Sequence, residues 1–163
     1  MFATFHGLPV HALVLHIAVV LAPLSALLGL AFLAPKWRRV LQWPLIAVTA
    51  VSAVTLFVSK LSGQNLRSAL GSQLTTPGSL SGALVAQHQT YANRLVLAGV
   101  VLFALSLLAA LLRRRSSADA VGWAAGGAVA VVAVVVLVLT YQTGEAGAKA
   151  VWNPAGTFNY SSK

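Results

Sequence analysis

The chain of 163 residues contains no cysteine. Disulfides, thiolate metal ligands and cysteine nucleophiles are therefore excluded, and cysteine usage says nothing about the redox compartment. The single methionine is Met1, which leaves no internal thioether ligand. Any bound metal must be held by imidazole, carboxylate or backbone oxygen. Acids are nearly missing: Asp119 and Glu145 stand alone against eleven Lys and Arg. There is no carboxylate pair, no zinc-protease motif and no phosphate-binding glycine loop, so nothing points to hydrolytic catalysis, and the expectation leans away from an enzyme. Charge of either sign is scarce, at 8% of residues against roughly 25% in soluble domains.

What fills the chain instead is apolar: 58% of residues are hydrophobic. Such a chain cannot keep its surface in water, so its solvent must be a lipid bilayer. Four runs emerge, at Ala12–Ala34, Pro44–Ser59, Leu95–Leu112 and Ala120–Thr140. With their interfacial ends, all four reach the roughly 20 helical residues that a bilayer core requires. The runs are continuous rather than alternating, which argues against a β-barrel. The first run is too long for a signal-peptide core and lacks a basic flank, so it reads as a retained helix.

The net charge of +9 does not indicate nucleic acid, because no aromatic-plus-basic recognition motif accompanies it. The bases act as topology signals. Lys36, Arg38 and Arg39 cluster in the turn after the first run, and Arg113, Arg114 and Arg115 in the turn after the third. Positive charge beside short turns marks the cytoplasmic side. The reading is therefore a multi-pass protein of the bacterial inner (plasma) membrane, with both termini and the long central loop outside.

The fold class expected is all-α: one integral membrane four-helix bundle spanning the whole chain, with helices at 9–34, 38–61, 81–112 and 119–143 and an outer tail over 144–163. Pro9 suits the first position of a helix, and Pro23 should kink helix one. Ser62-Gly63 reads as the end of helix two. Beyond it Leu66, Leu70 and Leu74 recur every four residues, which predicts a short helix on the outer surface. In the fourth run, Gly122-Trp-Ala-Ala-Gly126 is a small-residue pattern that permits close helix approach, within the bundle or in a homo-oligomer. No repeat is convincing by sequence, so an inverted-repeat transporter is not indicated.

The histidines are the unusual chemistry. His6, His11 and His16 open the chain and His88 heads the third helix. At 1.5 Å per residue, counted from the basic turns, His11 lies roughly 36 Å up, His88 roughly 37 Å, Lys60 roughly 34 Å and Glu145 roughly 39 Å. His16 is deeper, at roughly 28 Å. All the histidines thus fall in one half of the membrane. His11 and His16 are about 140° apart around a helix and cannot both face one small centre. One ligand from helix one with His88 is the natural pair. His16 sits among Leu13, Val14, Leu15, Ile17 and Ala18, and a buried imidazole there needs a partner. Two readings stay open for it: a haem or metal ligand, or a hydrogen bond to Tyr91, Asn93 or a backbone carbonyl. His6 precedes the helix and reads as solvated. Glu145 is a weak metal candidate, because Lys149 stands four residues away as an ion-pair partner.

The pattern Gly7-Leu-Pro-Val-His11-x4-His16, the Ser62-Gly63 turn, His88 with Asn93 five residues on, and the Gly-rich stretch Gly144 to Trp152 together resemble one family. It is the group of small bacterial membrane proteins called domain of unknown function 2231. The resemblance covers roughly Gly7 to Trp152. It implies four transmembrane segments and a Pro-x-His-x4-His first helix. The chain departs from the pattern in having Ala12 and Ile17-Ala18 where more prolines are expected, and Glu145 where a histidine is expected. The function expected is a histidine-based cofactor site, haem b or a transition metal, for electron transfer or metal handling. His16, His88 and His11 are the candidate ligands, with Tyr91, Asn93 and Lys60 around them. The alternative is an accessory subunit of a larger membrane complex with no cofactor. A transporter or channel is the weakest reading, because no charged pathway crosses the cytoplasmic half.

Overall fold

The computed structural model describes residues 4–5, 8–69, 71, 80–115 and 119–153. Apart from one short pairing of Thr4–Phe5 with Leu8–Pro9, the described chain is helical. Helix α1 spans Val10–Ala31, α2 Arg38–Ala69, α3 Leu80–Arg115 and α4 Asp119–Trp152. A single 3₁₀ turn at Pro35–Trp37 joins α1 to α2, with Pro35 supplying the fixed φ and dispensable N–H that a helix start tolerates. All four helices are long and apolar enough to cross a membrane. Pro23 lies inside α1, as expected.

Two boundaries differ from expectation. Helix α2 does not end at Ser62-Gly63 but continues to Ala69, so Leu66 belongs to it. Leu70 and Leu74, the remainder of the expected surface helix, lie outside the described residues. Likewise the expected outer tail begins as helix: α4 continues through 144–152. There Lys149 reaches back to Glu145 at 2.8 Å, an i,i+4 pair on one face. With 32, 36 and 34 residues, α2, α3 and α4 are about 48, 54 and 51 Å long. A hydrocarbon core is about 30 Å thick, so these helices project beyond it.

The helices form a ring: α1 packs on α2 and α4, and α3 packs on the same two, so that α1 and α3 face each other across the diagonal. The core is built of small residues, Ala18, Ala22, Ala26 and Ala133, around Leu102, Val129 and Val136. Lipid is as apolar as a leucine core, so only close packing can favour association, and small side chains permit it. Ser25, Thr49 and Ser106 are buried and bond to carbonyls one turn back in their own helices, which satisfies each of these three hydroxyls. The outward faces carry Val19, Val20, Leu97 and Val131, all more than half exposed, a surface suited to acyl chains.

Candidate functional site

His11 lies at the start of α1, where Val10 opens the helix directly after Pro9. Its ring reaches across to α2. Nδ1 lies 3.0 Å from the Ser59 carbonyl oxygen and 3.2 Å from Ser62 Oγ, and Ser62 Oγ donates to the same carbonyl at 3.0 Å. The ring rests on Gly63: a Cβ there would stand 3.0 Å from Cε1 and 3.2 Å from Nδ1. A glycine inside a helix costs about 1 kcal/mol against alanine. Here it creates the space that an imidazole occupies, which is why α2 passes through it unbroken.

His88 repeats the arrangement on the other side of the ring. From the second and third turns of α3 its Nδ1 reaches the Thr143 carbonyl on α4 at 2.8 Å. The ring rests on Gly147, where a Cβ would stand 3.0 Å from Nδ1 and 3.1 Å from Cε1. In a helix ladder the carbonyl of residue 143 also takes the N–H of residue 147, and that of 59 the N–H of 63. Each histidine therefore uses the spare lone pair of a helix carbonyl beside a glycine.

A carbonyl can only accept, so Nδ1 carries the proton in both rings. In neutral imidazole the lone pair is then on Nε2. Both rings are half-buried, and neither Nε2 has a hydrogen-bond partner among the described residues. An Nδ1–H tied to a carbonyl with Nε2 left open is the arrangement by which proteins orient an imidazole toward a metal.

His16 is not brought to this place. It sits on the exposed face of α1, where its Nδ1 donates to the Ala12 carbonyl of its own helix at 2.6 Å. That bond satisfies the ring locally, and of the two readings left open for His16 it is the hydrogen bond to a backbone carbonyl. Asn93 is exposed and Tyr91 half-buried; among the described residues Tyr91 accepts from Gln87 of its own helix, at 3.5 Å. Neither meets His16. Lys60 is half-buried beside Ser59. Glu145 is exposed and forms with Lys149 the ion pair that their spacing led us to expect. His6 lies outside the described residues. Among the described residues no three His, Asp or Glu converge as a metal cluster.

Arg38 has a structural role that its place in a basic turn does not announce. Instead of facing solvent as a topology signal, it is buried, with 7% of its surface accessible. Its Nε donates to the Phe32 carbonyl at 3.1 Å and its Nη2 to the Leu33 carbonyl at 2.9 Å. The guanidinium lies 4.9 Å from the centre of the Trp123 ring and fills the groove beside Gly122 and Gly126, where added Cβ atoms would stand 2.9 Å and 3.1 Å from its nitrogens. The small-residue pattern thus admits an arginine rather than a bare helix. A glycine pair opposite a basic turn was the available signal.

Residues 7–157 match the family described as predicted membrane protein (DUF2231). No curated protein and no solved structure matches the chain.

Proposed function

We propose that this chain, which belongs to the DUF2231 family of predicted membrane proteins, holds haem b between His11 and His88 and serves electron transfer. The observation that carries this reading is the paired imidazoles, each with Nδ1–H fixed to a helix carbonyl and its ring seated on a glycine. With haem bound, His11 and His88 would hold its iron through their open Nε2 atoms, and the group would supply one-electron redox chemistry; zinc sites use three or four protein ligands.

Absorption spectra of the purified protein, oxidised and dithionite-reduced, test the reading. A Soret band that shifts on reduction, with a sharp α band, is the expected result. A colourless protein from cells well supplied with haem would remove the haem assignment and favour the accessory-subunit reading.

We further place the chain in the bacterial plasma membrane with the histidine end outside. Lys36 and Arg39, exposed beside the turn at the opposite end, support that orientation through the positive-inside bias. A periplasmic reporter fused after Lys163 is expected to be active; activity only from a cytoplasmic reporter would reverse the orientation.

A further inference from the structure

The ring of four helices hides a second regularity. His11 and His88 set one spacing along the chain. Applied to the rest of α1, that same spacing carries Ala18 onto Leu95, Ala22 onto Gly99, Ser25 onto Leu102 and Gly29 onto Ser106, all buried, and buried Ala26 onto half-buried Phe103. Gly63 and Gly147 set a second spacing. Applied to α2, it carries Leu45 onto Val129, Thr49 onto Ala133, Ser52 onto Val136, Ser59 onto Thr143 and Ser62 onto Ala146, all buried, while buried Arg38, Ala53 and Leu56 fall on half-buried Gly122, Leu137 and Thr140. Two buried helix faces can always be slid into some register. Here the slide is not adjustable, because the histidines fix one register and the carbonyl–glycine pairs fix the other. The packing follows the same rule: exchanging α1 with α3 and α2 with α4 turns each observed interface of the ring into another.

We infer that the bundle is two copies of one helical hairpin related by a pseudo-two-fold axis along its length, and that Ser59-x3-Gly63 and Thr143-x3-Gly147 are the duplicated device that positions the two imidazoles. The residue identities have diverged almost everywhere in the core, where any apolar residue of suitable size serves. They are kept where a ring must lie on a helix backbone, since only glycine leaves that space. Ser59 and Thr143 contribute through their backbone carbonyls, so the hydroxyl residue is interchangeable and the glycine is not. Two equivalent imidazoles arriving from diagonal helices would meet a planar ligand from its two faces. The inference rests on the histidine pair being the site of the proposed function, and not on haem being its occupant.

The test uses the full chain with labelled histidine and compares Gly63→Val, Gly147→Val and Gly144→Val. Gly144 has open space around it on the same helix as Gly147. Nδ1–H resonances are read by NMR, and haem content by absorbance where the protein is pigmented. Gly63→Val is expected to displace the His11 signal and Gly147→Val the His88 signal, each lowering haem content about tenfold, the size of losing a group that orients a ligand. Gly144→Val should move neither. Ser59→Thr combined with Thr143→Ser should keep both signals in place. If the valine variants do not fold, the alanine variants give the same pattern with a smaller displacement. Histidine signals unmoved by Gly63 and Gly147 substitutions, or moved equally by Gly144→Val, would overturn the duplicated device. A colourless wild type with the expected histidine shifts would sink the haem reading alone.

Discussion

Alanine in place of His88 is expected to leave the purified protein with less than about a tenth of its haem. Loss of an orienting group around a metal ligand already costs about 10–100-fold in affinity, and His88→Ala removes the ligand itself. The fold should survive. The Thr143 carbonyl loses the imidazole proton but keeps the N–H of Gly147 within its helix, so the stability lost is that of one hydrogen bond, about 1 kcal/mol. Pigment and stability are thereby separated. His11→Ala should match His88→Ala in pigment lost, because the two rings are held alike. His16→Ala should keep the full spectrum, since that ring bonds only to its own helix and faces outward. His88→Met should retain haem and raise its potential, as a thioether axial ligand does. Reduced-minus-oxidised spectra of the purified variants, normalised to protein, decide among these. Full pigment in His88→Ala, or its loss in His16→Ala, would move the site elsewhere.

The contrast between His16 and His11 marks what the sequence could reveal. The four spans were legible because a bilayer core demands long apolar runs, and charge so scarce leaves few other readings. Which face of α1 turns inward was not. In water the buried face of a helix is apolar and the other polar, so periodicity identifies it. In lipid both faces are apolar, and the neighbours of His16, Leu13 to Ala18, look the same whether they meet acyl chains or helices. Counting residues from the basic turns does pair the right neighbours: His11 meets the residue before Lys60, and His88 meets a residue two before Glu145. The end of helix two was misjudged for a non-local reason. Glycine after serine commonly stops a helix, but Gly63 is occupied from outside by a ring on α1. No local signal records that contact, nor the one between Gly147 and His88. The repeat escaped notice for the same reason, since it survives in burial and contact geometry rather than in residue identity.

Substitution of Arg38 by methionine is expected to be the most destabilising single change in the bundle, at about 3–5 kcal/mol. Hydrogen bonds to a charged group contribute about 1.5–3 kcal/mol each, and the two to the Phe32 and Leu33 carbonyls are lost together. Among the described side chains no carboxylate pairs with Arg38. Glu145 is bound to Lys149 at the far end of α4. What offsets the charge is the carbonyl end of α1, where the helix macrodipole is negative, together with the face of Trp123. Methionine could fill part of the groove at Gly122 and Gly126 but would leave the Phe32 and Leu33 carbonyls without their donors. Lysine should be an incomplete replacement, because a point charge cannot fork between two carbonyls and stack on an indole at once. Trp123→Ala should cost less, about 1–2 kcal/mol, the share of a desolvated cation–π contact. Insertion should not suffer, since Lys36 and Arg39 stay exposed on the same turn and continue to mark the inner side. Equilibrium unfolding of the purified variants in mixed detergent measures the order expected, with wild type above Trp123→Ala, then Arg38→Lys, then Arg38→Met. If Arg38→Met stays within about 0.5 kcal/mol of wild type, as ordinary surface substitutions do, the guanidinium is a topology signal only, and the glycine groove is closed by helix packing without it.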